Sequence, residues 1–200
     1  MAKLREQRIR ARKAKAFRRR MIALLVIVLI VTSLAMIYYF GNRPVSEPNK
    51  VLLRTTMGDI TIQLYDDMPI TTGNFKNLAK RGVYNGTIFH RVIDGFMIQG
   101  GDPTGTGHGD PNIPAIQDEF TDHNRNDRGT VAMANTGQSN TGSSQFFINL
   151  VNNNYLDSKH PVFGKVIGGM DIVDAIGKVP TDSNDKPLQD VRITKAELIS

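Results

Sequence analysis

Two hundred residues at 40% hydrophobic content suffice for one closed core of ordinary size with something small beside it. The net charge of +6 is unevenly placed: residues 1–20 hold ten Lys or Arg against the single acid Glu6, and the rest hold fifteen basic and eighteen acidic side chains. The body therefore offers no basic stripe, which sets nucleic acid aside as a partner, and a chain without cysteine excludes a disulfide, a Cys-ligated metal and a lipid on a terminal Cys.

Residues 21–40 form an uncharged run built from Ile, Leu, Val and Ala and closing in Tyr38-Tyr39-Phe40. As a helix rising about 1.5 Å per residue, the run spans about 30 Å, the thickness of a bilayer's hydrocarbon core. The basic residues before it predict a cytoplasmic N-terminus, and the closing tyrosines suit the opposite interface. The expectation is a single-pass anchor in the cell membrane, with the lipid bilayer as partner of residues 21–40 and the folded domain outside the cytoplasm. The alternative is a secreted protein freed by signal cleavage after Ser33-Leu34-Ala35, which leaves an apolar new end at Met36. A buried helix of a soluble fold fits less well, since the run has no polar face.

Residues 41–49 are polar with two prolines and read as an extended linker. The folded domain is expected over 50–200. Residues 51–55 and 59–65 read as strands around a Met57-Gly58 turn. A helix follows Pro69 through Phe75, Leu78 and Ala79, ending at Gly82. Later strands are expected at 130–134, 145–150, 162–166 and 191–199, with a second helix over 170–176 and Gly177 at its end. Many short strands with two helices point to an antiparallel barrel rather than alternating α/β units.

Chemistry concentrates in Phe89-His90-Arg91-Val92-Ile93-Asp94-Gly95-Phe96-Met97-Ile98-Gln99-Gly100-Gly101-Asp102. It reads as strand, Asp94-Gly95 turn and strand, with Arg91 and Ile93 on one face and Phe96, Met97 and Gln99 within reach. One permanent cation among large apolar side chains implies a pocket with a single charged tool; the plainer reading is a hairpin whose Arg lies along an apolar surface with its head in water. Two further motifs favour the pocket: Val131-Ala132-Met133-Ala134-Asn135 before a polar loop leading to Ser144-Gln145-Phe146-Phe147-Ile148-Asn149, and Tyr155-Leu156-Asp157-Ser158-Lys159-His160-Pro161-Val162-Phe163-Gly164.

These segments, in this order and spacing, resemble the cyclophilins, a family of peptidyl-prolyl cis/trans isomerases, over about residues 50–199. The resemblance implies a mainly β fold, a closed antiparallel eight-stranded barrel capped by two helices, here preceded by the single transmembrane helix. It implies an isomerase acting on X-Pro bonds of proline-containing polypeptides without metal or organic cofactor; joined to the expected anchor, this gives exported chains as the expected clients at the membrane. Arg91 matches the catalytic arginine, and Phe96, Met97, Phe147 and Leu156 match the walls around the proline ring. Gln99, Ala134 and Asn135 match contacts to the substrate backbone, Gln99 and Asn135 being counted with the catalytic set. His160 matches a histidine at the pocket edge, and Gln145 a polar residue that helps orient the arginine. Tyr155 replaces the tryptophan that many members carry at a contact for cyclosporin-type ligands. A binding module or holdase gripping proline segments with little turnover is the alternative.

Other signals are set aside. His90, His108, His123 and His160 lack the short spacing of a metal site. Gly100-Gly101 and Gly105-Thr106-Gly107 lack the Gly-Lys-Ser/Thr of a phosphate loop and read as a mobile loop. Asn85-Gly86-Thr87 reads as a tight turn rather than a glycosylation site, and Asp66-Asp67 as solvated turn residues.

Overall fold

The computed structural model describes residues 48–200 throughout and, before them, residues 15, 18, 21, 22, 24, 25, 28–36 and 38. The chain divides into two compact units, Met1–Ser46 and Glu47–Ser200.

In the first unit every described residue is helical and exposed. The described apolar side chains between Met21 and Tyr38 are exposed, and the hydroxyls of Thr32 and Ser33 bond back to the Leu29 carbonyl at 3.0 and 2.6 Å. Among the described residues no helix is long and apolar enough to cross a membrane. The other positions of the expected span, most of the basic segment 1–20 and linker residues 41–47 lie outside the described residues.

The second unit runs β1 (Lys50–Thr55), β2 (Gly58–Leu64), α1 (Pro69–Lys80), β3 (Arg91–Ile93), β4 (Met97–Gly100), β5 (Thr130–Met133), β6 (Phe146–Asn149), a 3-10 turn (Asn154–Leu156), β7 (Val162–Gly168), α2 (Met170–Gly177) and β8 (Ile193–Ile199). Pro69 opens α1 because a proline in the first turn forfeits an amide that has no helical partner anyway. The orphan amides of Ile70 and Thr71 are taken up by the Glu119 carboxylate from 48 or more residues away, at 3.2 and 2.9 Å. Gly177 is the last residue of α2, as expected, and a Cβ there would stand 2.7 Å from Leu150 Cδ1, so close packing is what calls for glycine.

All strand pairs are antiparallel, in the order β3-β4-β6-β5-β7-β2-β1-β8. The closed barrel expected from the resemblance is corrected: the sheet curls but stays open, since no ladder joins β8 to β3. The physical reason is the shortness of β3 and what covers its free edge. Val92 N–H donates to the Asp185 carbonyl at 2.8 Å, and the irregular segment 86–89 takes the hydrogen bonds of 191–193, with Gly86 N–H to Ile193 O at 2.7 Å and Phe89 N–H to Val191 O at 3.0 Å. A loop thus occupies the edge that a ladder would need.

Alternation sorts the strands into two apolar sets. Val51, Leu53, Ile60, Ile62, Val92, Ile98, Val131, Met133, Phe146 and Ile148 join α1 and α2 in the main core. Its centre is aromatic: Phe75 packs on Tyr84, Phe146 and Phe163 with ring centroids 4.9, 5.3 and 5.0 Å apart. The intervening residues Met97, Ala132, Phe147 and Val162 turn the other way and, with Ala134, form a second, smaller cluster against Ile93, Phe96 and Leu156.

Candidate active site

The second cluster floors a cleft of about 180 Å³ lined by Arg91, Phe96, Met97, Gln99, Ala134, Asn135, Gly137, Phe147, Leu156 and His160. Drug-sized sites run to roughly 300–1,000 Å³, so this cleft suits one small ring with its flanking backbone. Register builds it. Arg91 lies opposite Gln99, Gln99 opposite Phe147, and Phe147 opposite Ala132, one row across β3, β4, β6 and β5. A one-residue slip in any pair would send that residue into the main core instead.

The remaining walls come from loops held by amide side chains. Asn153 donates to the Phe96 carbonyl at 2.9 Å and to Asn149 Oδ1 at 2.8 Å, and Asn149 donates to Asn126 Oδ1 at 3.2 Å. Asn126 donates in turn to Asp157 Oδ1, from its backbone N–H at 2.6 Å and from its side-chain Nδ2 at 3.3 Å. All three asparagines are buried, so this network fixes Phe96, the Leu156 turn and the segment up to His160 against one another.

His160 stands edge-on to Phe147, centroids 5.3 Å apart, with Nδ1 2.9 Å from the Met133 carbonyl. Burial lowers its pKa and outweighs the bond to Met133. The ring is therefore neutral at pH 7, with Nδ1–H donating, and serves as a wall rather than a charge. Tyr155 is absent from the cleft wall: it is two-thirds exposed and stacks on Phe96 from outside.

Gln145 faces an adjoining cleft of about 130 Å³ shared with Gln99, Gly107, Thr136 and Thr141. Gln99 Nε2 donates to Gln145 Oε1 at 2.9 Å, and Gln145 Nε2 donates to the Gly107 carbonyl at 3.0 Å. The side chain bonded to Arg91 is instead Asp185, Oδ2 to Nε at 3.4 Å. Gln145 thus anchors Gln99, and the expected orienting bond to Arg91 belongs to a residue that the motifs did not single out. Asn135 is likewise committed, its Nδ2 donating to Lys159 O at 2.8 Å and its Oδ1 accepting Gly137 N–H at 3.0 Å.

The loop after the glycine pair, expected to be mobile, is pinned by Asp102. This fully buried carboxylate accepts from Thr104 N–H at 2.9 Å, Gly107 N–H at 2.7 Å and Gly109 N–H at 3.3 Å. Burial pushes its pKa up, but the hydrogen bonds from Thr104, Gly107 and Gly109 together hold it below the ordinary value. Gly101 makes the approach feasible: its φ is +84°, and a Cβ there would meet Ser144 O at 2.7 Å and Phe146 Cδ1 at 2.8 Å.

His90 is buried beside this loop, and neither ring nitrogen has a partner at hydrogen-bonding geometry. Burial lowers its pKa against the opposing pull of Asp102, and the neighbouring Arg91 lowers it further. With His90 and His160 both depressed below 6.5, the unfolded chain binds more protons just below that value, so their contribution is complete above it and is lost as pH falls through the folded values. The thermal midpoint is expected to fall between about pH 7 and pH 5, and His90→Gln to make that fall shallower. Equal slopes for the variant and the parent would contradict the assignment.

An apolar slot for one ring, a permanent cation at its mouth and side-chain amides alongside can hold a planar amide and meet charge that appears as it twists. Comparison with known proteins points the same way. Residues 50–198 match the family model for cyclophilin type peptidyl-prolyl cis-trans isomerase/CLD. The chain is 48% identical over 154 residues to peptidyl-prolyl cis-trans isomerase-like 1 of Homo sapiens, covering 75% of this chain and 92% of that protein. It is 50% identical over 152 residues to peptidyl-prolyl cis-trans isomerase CYP71 of Arabidopsis thaliana, covering 74% of this chain but 24% of that longer protein. A crystal structure of a Cryptosporidium parvum cyclophilin type isomerase, obtained in the presence of the dipeptide Ala-Pro, superposes with a TM-score of 0.72 at 35% identity, covering 76% of this chain and 99% of that one. With the family model spanning the whole curled sheet and both clefts, this chain belongs to the cyclophilin-type peptidyl-prolyl cis-trans isomerases.

Proposed function

We propose that the cleft isomerises X-Pro bonds by a planar-to-twisted amide mechanism in which Arg91 is the catalytic donor. Resonance gives the bond a barrier of about 18–20 kcal/mol. Twisting breaks the resonance and returns a lone pair to the prolyl nitrogen, which then accepts a hydrogen bond that the planar form cannot. A donor aimed there binds the transition state selectively, and a guanidinium is always charged and rich in donors. Phe96, Met97, Phe147, Leu156 and His160 hold the ring and keep water away, which strengthens the field of the guanidinium. Gln99, held by Gln145, and the backbone at Ala134 and Asn135 fix one side of the amide while the other rotates. The observation that carries this reading is the row Arg91, Gln99, Phe147 across adjacent strands, which sets the cation beside the apolar floor. Tyr155, outside the wall, is a surface through which a cyclosporin-type ligand would be sensed without touching the ring slot.

The same proposal places the domain at a membrane. The described apolar residues between Met21 and Tyr38 are exposed along their helix, the Thr32 and Ser33 hydroxyls are satisfied within it, and the ten basic residues precede the run. This supports a cytoplasmic N-terminus, a single-pass anchor over residues 21–40, and a domain outside the cytoplasm acting on exported chains. Protease added to intact cells is expected to digest the domain, and deletion of residues 1–40 to move the activity to the soluble fraction. Protection of the domain until the membrane is permeabilised would reverse the orientation, and a full-length protein that fractionates as soluble would remove the anchor.

A further inference from the structure

Asp185 adopts a left-handed backbone conformation, φ +64°, in the turn that leads from α2 towards β8. The turn closes on itself through Asp182: its amide donates to the Lys186 carbonyl at 2.8 Å, and its carboxylate accepts the Asn184 and Lys186 amides at 2.8 and 3.0 Å. A bridge between Thr181 and Pro187 ties the ends. The turn is also fastened to β3, since the Asp185 carbonyl accepts the Val92 amide at 2.8 Å. Backbone bonds therefore hold Asp185 beside Arg91 whatever its side chain does. Glycine would suit this φ better than any side chain, and the turn's own hydrogen bonds run through Asp182. What the Asp185 side chain adds is its carboxylate at 3.4 Å from Arg91 Nε.

Restraint at Nε commits that nitrogen to Asp185 and leaves the two terminal guanidinium nitrogens of a side chain that lines the cleft as its remaining donors. A long unbranched side chain otherwise samples many rotamers, and a donor must sit within a narrow range of its acceptor to help a transition state. We propose that Asp185 is a positioning residue for the isomerisation, fixing the Arg91 guanidinium through Nε so that its terminal nitrogens address the substrate amide. The proposal rests on Arg91 being the catalytic donor. Both partners are nearly half exposed, Arg91 at 44% and Asp185 at 43%, so the pair is open to screening by salt.

The test uses the full-length protein with Asp185→Asn, which tolerates a left-handed φ, and Asp185→Gly, which suits it. Both are expected to lower kcat for an X-Pro peptide by about two- to fivefold with KM unchanged, while the thermal midpoint holds. Added salt is expected to lower wild-type kcat towards that of the variants and to leave the variants unmoved. In an Arg91→Ala background neither substitution should matter further. Full kcat in both variants, or a loss that persists in the Arg91→Ala background, would overturn the positioning role. Full turnover by Arg91→Ala alone would instead overturn the donor assignment, so the two failures are distinguishable.

Discussion

Arg91→Ala is expected to cut kcat/KM for an X-Pro peptide by about ten- to a hundredfold, the worth of one hydrogen bond to a charged donor of roughly 1.5–3 kcal/mol. The fold should hold, because the side chain is nearly half exposed at the mouth of the cleft and its strand is kept by backbone bonds to β4 and to Asp185. Peptide affinity should change little, since the apolar walls remain. The loss should therefore lie in kcat, the signature of an interaction made only in the transition state. Steady-state kinetics beside a thermal melt separate the outcomes: a loss confined to KM would make Arg91 a binding residue, and a lowered melt would make it a structural one.

Phe146→Ala is expected to be the most damaging single change to the fold. The ring is fully buried, with centroids 5.3, 5.7 and 6.5 Å from Phe75, Tyr84 and Phe89. Truncation leaves a cavity among these packed rings, costing about 3–5 kcal/mol out of a total of roughly 5–15 kcal/mol. Its chain neighbour Phe147 points the opposite way, into the cleft. Phe147→Ala should therefore lose turnover at a smaller cost in stability. Denaturant unfolding of both variants checks this alternation, and equal midpoints would contradict it.

That pair shows what the sequence makes legible. Alternation around Met57-Gly58 marks β1 and β2, and Pro69 marks the start of α1. The ends of later strands shift by a residue or two: β7 runs on to Gly168 and β8 starts at Ile193 rather than at 191, where hydrogen bonds to segment 86–89 replace the ladder. Most expected wall residues meet in one cleft because each lies in a strand or turn whose pattern is local.

The partners of those residues are less legible. Asp185 reaches Arg91 across 94 positions from a turn of ordinary polar composition. Glu119 caps a helix through the amide of Ile70, 49 positions earlier, and the network of Asn126, Asn149 and Asn153 joins three separate segments. No local propensity marks such contacts, since they exist only once register has brought distant segments together. The open sheet has the same origin: a three-residue β3 with a loop on its edge is indistinguishable in pattern from one paired to a neighbour.

The most direct test of the account is cis-to-trans exchange of a short Ala-Pro peptide, followed by exchange spectroscopy with the full-length protein. The prediction is exchange far faster than the tens to hundreds of seconds of the free peptide, together with shifts at Phe147, Leu156 and His160 on binding. Binding at those residues without faster exchange would contradict the account and leave a module that grips proline segments.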